Sequence, residues 1–249
     1  MLDIADLSNG TLAFLAMSVF VAGLVRGFTG FAASATVMAL ATVVMAPIDL
    51  LPVCLLLELI ASAFLVRGGI KEADYGLTIP LVGFAFIALP AGLYLTKTMD
   101  PDLSRLIVLG VVAGLAALQL ARIPLPFGRG FASRAVVGVS AGLIQGLANA
   151  GGLVHALYVL ALDLPPRTVR ATMILGVMIS GAMGVFWQVA MGILTVQALA
   201  RVLLVFVPFV IGLWLGRAGF TPENEKFYRP ISLALLIVLA SGGILRLVV

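Results

Sequence analysis

A few polar side chains stand inside long apolar runs, and their types suggest anion chemistry. Arg26 closes one run beside Gly27-Phe28-Thr29-Gly30. A guanidinium at membrane depth is costly, about 2.5–3.5 kcal/mol on insertion scales, and usually lines a pathway or holds a partner. Its planar fork suits an oxyanion. The alternative is an ordinary charge at the membrane surface. Thr29 and Ser34 add hydroxyl donors past the glycines. A helix interrupted there would expose backbone N–H groups and a positive dipole end, both attractive to an anion. The bland reading of the glycines is close packing of helices through small residues. Gln145, Asn149, Gly151 and Gly152 form a second polar cluster. Asn149 either donates to a ligand or makes an interhelical hydrogen bond, worth about 0.6–2 kcal/mol.

Two titratable residues belong to the same group. Glu58 lies among Leu55, Leu56, Leu57, Leu59 and Ile60. It could pair with Arg26, take up a proton in coupled transport, or serve as a structural acid. His155 is the single histidine and follows Gly151 by four residues. It could contact an anion or shuttle protons near neutral pH. Ser34 with His155 also raises the prospect of a serine–histidine dyad in an intramembrane hydrolase, but Ala33 and Ala35 flank Ser34 with no nucleophile motif. One histidine and one cysteine, Cys54, make no multi-ligand metal site or internal disulfide. Cys54 reads as a packing residue. No phosphate-binding loop or dinucleotide fingerprint is present, so no cofactor is expected.

The elements that must carry these residues are membrane helices. Of the 249 residues, 62% are hydrophobic and 10% charged, against about 25% charged in an ordinary soluble domain. One span takes about 20 apolar residues, which allows eight to ten segments. A transmembrane barrel would alternate in polarity; segments 51–66 and 231–240 are apolar on every face. The fold class is therefore an all-α polytopic membrane protein in one transmembrane domain, 1–249. The run 12–24 is long enough for a signal peptide, but Asp3 and Asp6 precede it without a positive charge. It is read as part of the mature fold.

Breaks at Gly, Pro and charge delimit apolar segments 11–26, 31–46, 51–66, 77–96, 104–121, 135–147, 151–162, 171–190, 199–216 and 230–246. The pairs 11–26 with 31–46 and 135–147 with 151–162 are short and nearly abut. Each is read as two tight spans or as a broken, re-entrant hairpin. The pairs also resemble each other. Ala22-Gly23-Leu24-Val25-Arg26-Gly27 aligns with Ala141-Gly142-Leu143-Ile144-Gln145-Gly146, Gly92-Leu93-Tyr94-Leu95 with Gly212-Leu213-Trp214-Leu215, and Pro101 with Pro222, at a nearly constant spacing. This predicts an internal duplication, 1–123 and 124–249, with its boundary near Pro124-Leu125-Pro126. Each half has an odd number of crossings, so the repeats are inverted, as in many secondary transporters. The repeat counterpart of Glu58 is Val177.

Counting Lys and Arg on alternating sides places Lys97, Arg105, Arg201 and Arg246 on one face. All the others except Arg26 fall on the opposite face. The richer side is the cytoplasmic one, so both termini are predicted to be periplasmic in an inner membrane. The net charge of +4 is scattered as topology signals, so no nucleic-acid partner is expected. Arg167 and Arg170 read as cytoplasmic loop charges. Phe84, Phe86, Tyr94, Phe186, Trp187, Phe206, Phe209 and Trp214 read as core or interface anchors. A homodimer is compatible with the sequence, but no segment specifies one.

At the two glycine-rich breaks the chain resembles the sulfite exporter TauE/SafE family, also called the toluene sulfonate uptake permeases. The residues that carry the resemblance are Ala22-Gly23-Leu24-Val25-Arg26-Gly27-Phe28-Thr29-Gly30-Phe31 and Ala141-Gly142-Leu143-Ile144-Gln145-Gly146-Leu147-Ala148-Asn149-Ala150-Gly151-Gly152. Proline turns from Pro47 to Pro52 and at Pro165-Pro166 fit as well. Many members read three glycines after the first break, where this chain has Phe31-Ala32-Ala33. The resemblance implies an inner-membrane carrier of small sulfur-containing or carboxylate anions, such as sulfite or organosulfonates. The expectation is a secondary transporter working by alternating access around two hairpin tips, lined by Arg26, Gly27, Phe28, Thr29, Gly30, Ser34, Gln145, Asn149, Gly151, Gly152 and His155, with Glu58 or His155 coupling a proton. An anion channel is the near alternative.

Overall fold

The structure is a computed structural model. It describes residues 6–29, 32–66, 71–121, 127–162, 164–218, 234, 237–238 and 240–245. Lipid offers no partner for backbone N–H and C=O groups, so an apolar chain in a bilayer satisfies them within helices. The described residues form α1 (Asn9–Thr29), α2 (Ala33–Ala41), α3 (Pro47–Val66), α4 (Tyr75–Thr98), α5 (Pro101–Leu120), α6 (Phe131–Ala148), α7 (Gly151–Ala161), α8 (Pro166–Ala190) and α9 (Val196–Ala218). Residues 240–245 are also helical. Seven helices, all but α2 and α7, are long and apolar enough to cross a membrane.

Local chemistry sets several boundaries. Asp74 Oδ1 accepts from Leu77 N at 3.0 Å and caps α4. Asp100 Oδ1 accepts from Asp102 N at 2.9 Å, with Pro101 in the first turn of α5. Two expectations shift. The first break was placed at Gly27–Gly30, but α1 continues through Thr29, and so Gly27 is helical. Segment 31–46 is helical only from Ala33 to Ala41. A proline disfavours helix in the residue before it, and the apolar stretch ahead of Pro47 is a turn. In each abutting pair the first helix is therefore of spanning length and the second is short. Gly30 and the proposed boundary at 124–126 lie outside the described residues.

Two helix pairs pack more closely than the rest, α1 with α9 and α4 with α6. Glycines at four-residue spacing make both contacts. A Cβ on Gly23 or Gly27 would lie closer than 3.0 Å to the α9 backbone, and one on Gly138, Gly142 or Gly146 equally close to that of α4. Gly212 and Gly92 answer from the opposite helices. Bare backbones can approach in this way where lipid gives helices no hydrophobic drive to associate. In both pairs the contacting residue numbers rise together, so each pair is parallel. Lys97 Nζ donates to Met191 O at 2.8 Å, which sets the end of α4 beside the turn leading into α9. Hence α4 and α6 run opposite to α1 and α9.

Polar contacts outside the core sort to two ends. Arg129 pairs with Asp74, and Arg134 Nη1 donates to Gly76 O at 2.9 Å, where α4 and α6 begin. Arg201 lies 3.4 Å from Asp49 at the opposite end, where α3 and α9 begin. Lys97 and Arg201 thus lie at one end and Arg129 and Arg134 at the other, as the alternating count places these four. Arg67, Arg122, Lys226, Arg229 and Arg246 lie outside the described residues. Leu15, Val19, Leu50, Leu51 and Phe209 belong to the main apolar core, and Leu77, Leu81, Val137 and Tyr158 to a smaller one under α7. Phe209 is fully buried, whereas Tyr94, Phe186 and Trp214 are exposed on the outer surface.

Candidate functional site

The polar residues singled out by the sequence meet at the two breaks. Arg26 is buried, with 1% of its surface exposed. Its Nη2 donates to Ser62 Oγ at 3.0 Å, and its Nη1 lies 3.6 Å from Glu58 Oε1. Glu58 and Ser62 stand four residues apart on α3 and so share a face. Cys54, one turn earlier on that face, is buried, and its Sγ lies 3.9 Å from Ser34 O. The helix thus presents its polar stripe to the break between α1 and α2. One hydroxyl and a carboxylate face the guanidinium, and its Nε and Nη1 have no hydrogen-bond partner among the described residues, so this buried charge is held by its ion pair and one hydrogen bond.

The same acid leads to the second break. Ser34 Oγ donates to Glu58 Oε2 at 2.6 Å and accepts from Asn149 Nδ2 at 2.9 Å. Asn149 Oδ1 accepts from Gln145 Nε2. Gln145 Oε1 accepts from Gly151 N at 3.0 Å. One continuous chain therefore runs from Ser62 through Arg26, Glu58, Ser34, Asn149 and Gln145 to the start of α7. Asn149 is 2% exposed and holds the left-handed backbone conformation, φ 48° and ψ 31°. Asparagine adopts that conformation more readily than most residues. Ala32, at the start of α2, is also left-handed, φ 69° and ψ 12°.

The sites differ from the expectation in detail. An anion was expected at bare N–H groups past the breaks, but the amide of Gln145 already occupies Gly151 N. Gly27 packs against the α9 backbone, and a Cβ on Gly151 would crowd Ala141 O and Gln145. Gly152 is open by comparison, with Val177 Cγ2 the nearest atom to a Cβ there, at 3.9 Å. The side chains of Phe28 and Thr29 lie outside the described residues. Ser34 Oγ bonds Glu58 and Asn149 rather than His155, so the serine–histidine dyad does not form.

His155 Nε2 and Ser180 Oγ are buried with no hydrogen-bond partner among the described residues. Two adjoining narrow cavities, each with room for about one water, are lined by both residues and by Gln145. Glu58 and Gly152 line the second cavity. Sequence reasoning missed Ser62 and Ser180. Ser62 was findable as the residue one turn beyond Glu58. Ser180 is one serine in an apolar helix, with no spacing to mark it. Among the described residues no cluster of His, Cys, Asp and Glu could hold a metal ion.

The family model described as Sulfite exporter TauE/SafE matches residues 15–242. The chain belongs to that family. With its seven apolar helices of spanning length, this TauE/SafE member is a multi-pass membrane protein, and the family is one of membrane transporters. No curated protein and no solved structure matches the chain at a significant level.

Proposed function

We propose that this TauE/SafE protein is a secondary transporter of small anions, with sulfite, organosulfonates and short carboxylates as the substrate class. It works by alternating access around the two breaks. The observation that carries this reading is the chain of polar contacts, one ion pair and two hydrogen bonds, joining Arg26 at the first break to Asn149 at the second. Arg26 supplies a buried positive charge at the first break, and Glu58 balances it at rest. The polar tie between the breaks is the Ser34–Asn149 bond, a neutral pair. Such a bond contributes about 0.5–1.5 kcal/mol net, so the breaks can part at little cost when a substrate offers other partners.

The proposal includes two inverted halves, 1–123 and 124–249. Crosswise pairing supports it: the first helix of each half packs parallel to a late helix of the other, through the glycines on which the halves align. The charge distribution supports a bacterial inner-membrane location with both termini periplasmic. Flux of sulfite in proteoliposomes is the test. Arg26→Ala and Asn149→Ala are each expected to lower it by about tenfold or more, the factor that roughly 1.4 kcal/mol of lost binding gives. Normal flux in both variants removes the site assignment. Flux that rises without saturation as sulfite is raised would favour an anion channel.

A further inference from the structure

Of the two adjoining cavities, the first lies between α4, α6, α7 and α8 and the second between α3, α6, α7 and α8; only the second carries an acid. Glu58 lines the second cavity, while Arg26 lines neither and is bonded behind Glu58 to Ser62. Around Glu58 stand Arg26 from α1, Ser34 from α2, Gln145 from α6, His155 from α7, and Val177 and Ser180 from α8. Cys54 stands one turn earlier on α3 itself. Helices α4, α5 and α9 also touch α3, and the charge described on α9 near it, Arg201, pairs with Asp49 at the far end. An anion seated here, once the space widens beyond its room for about two waters, lies against a carboxylate and not a cation. The Arg26–Glu58 pair is neutral as a unit, so adding an anion alone would leave an uncompensated charge in a low-dielectric core. Adding a proton with it would not.

We infer that the chamber binds the transported anion together with one proton. The proton sits on Glu58, and Ser180 Oγ and His155 Nε2 donate to the anion's oxygens. The two donors fit this role because both are buried, both face the same space, and neither has another partner among the described residues. Once Glu58 is neutral, Arg26 is released from the ion pair and its charge acts on the bound anion. The proton comes from the compartment that supplies the anion and leaves with it, so one anion and one proton move together. This inference rests on the transporter reading above and names its coupling ion.

The test is sulfite binding to the purified full chain from about pH 5 to about pH 8, in wild type and Glu58→Gln. Sulfite's own titration is common to both and cancels in the ratio of dissociation constants. Glutamine mimics the protonated acid. The ratio of wild type to variant is expected to rise with pH, approaching tenfold per unit above the pKa of Glu58. A flat ratio with sulfite still binding to the wild type overturns the inference and leaves the transporter reading intact. No sulfite binding by the wild type at any pH overturns both. If Glu58→Gln does not fold, protons taken up by the wild type per methanesulfonate bound, an organosulfonate that does not itself titrate in this range, are read at about pH 8 from binding heats in two buffers. About one is expected, and none overturns the inference. Ser180→Ala keeps the ion pair and is expected to weaken binding about fivefold to twentyfold with the pH slope unchanged, the loss of one hydrogen bond. Unchanged affinity in that variant overturns the seat assigned to the anion.

Discussion

The two breaks solve the same geometric problem with different chemistry. Each ends a helix of spanning length and starts a short one, and each uses a non-glycine residue in the left-handed conformation. At the second break that residue is Asn149, whose amide bonds Ser34 and Gln145. At the first it is Ala32, which has no side-chain group to bond. The first break draws its polarity from neighbours instead, as the charged pair Arg26–Glu58. One break is thus built from neutral amides that are fully engaged. The other is built around two opposite charges whose balance can be altered by a proton or an anion. The contrast fits a switching role for the first break and a bracing role for the second in the proposed transport.

The largest expected effect separates the two chemistries. Removing one partner of a buried ion pair leaves the other uncompensated, which costs about 3–5 kcal/mol, whereas replacing both with apolar groups is often near neutral. Glu58→Leu should therefore lower the Tm of the detergent-solubilised protein sharply, and Arg26→Met with Glu58→Leu should restore much of it while abolishing flux. If the double variant melts as low as the single one, the pair is not the unit that holds the first break. The neutral break should respond less. Asn149→Ala loses two hydrogen bonds and places an alanine at positive φ, for a cost of about 1–3 kcal/mol. Asn149→Gly removes the amide and keeps the backbone at ease, so the gap between the two variants measures the strain less the unfolded-chain entropy that glycine adds, about 0.4–1 kcal/mol. Equal Tm values for the two would show that the left-handed conformation costs no more than that entropy.

The sequence made much of this site legible because charge and amide are rare in it. Arg26, Glu58, Gln145 and Asn149 stand out among apolar neighbours, and an intramembrane charge calls for a partner. The inverted halves led to the expectation that the two breaks face each other, but not to the Ser34–Asn149 bond that joins them. The helical, many-segment architecture was equally plain from composition. What stayed hidden depends on partners distant in the chain. Gly27 reads as a ligand-approach glycine until α9, from the other half of the chain, is laid against it. Ser180 has no neighbour in sequence that marks it; its lack of a bonding partner exists only in three dimensions. The short length of α2 was obscured because residues 42–46 are as apolar as the helix before them, and hydropathy does not distinguish a turn from a span.

The smallest effect bears on the strained residue of the first break. Holding a non-glycine residue in the left-handed region costs about 1–2 kcal/mol, and Ala32 sits there at φ 69° with 7% of its surface exposed. Ala32→Gly removes that cost. It also loosens the unfolded chain, which takes back about 0.4–1 kcal/mol. The net expectation is a stabilisation of about 0.5–1 kcal/mol, seen as a rise in Tm of a few degrees. The methyl group lost is small, so the cavity left behind is minor. The change also brings the first break closer to the glycine pair, Gly151-Gly152, that follows the second. Asn149→Gly, by contrast, should lower the Tm through loss of the amide bonds. Opposite signs at the two positions would mark Ala32 as strain without recompense and Asn149 as strain that is bonded in place. A fall in Tm for Ala32→Gly would mean that the alanine methyl packs more than its backbone costs, and the contrast between the breaks would then lie in the charges alone.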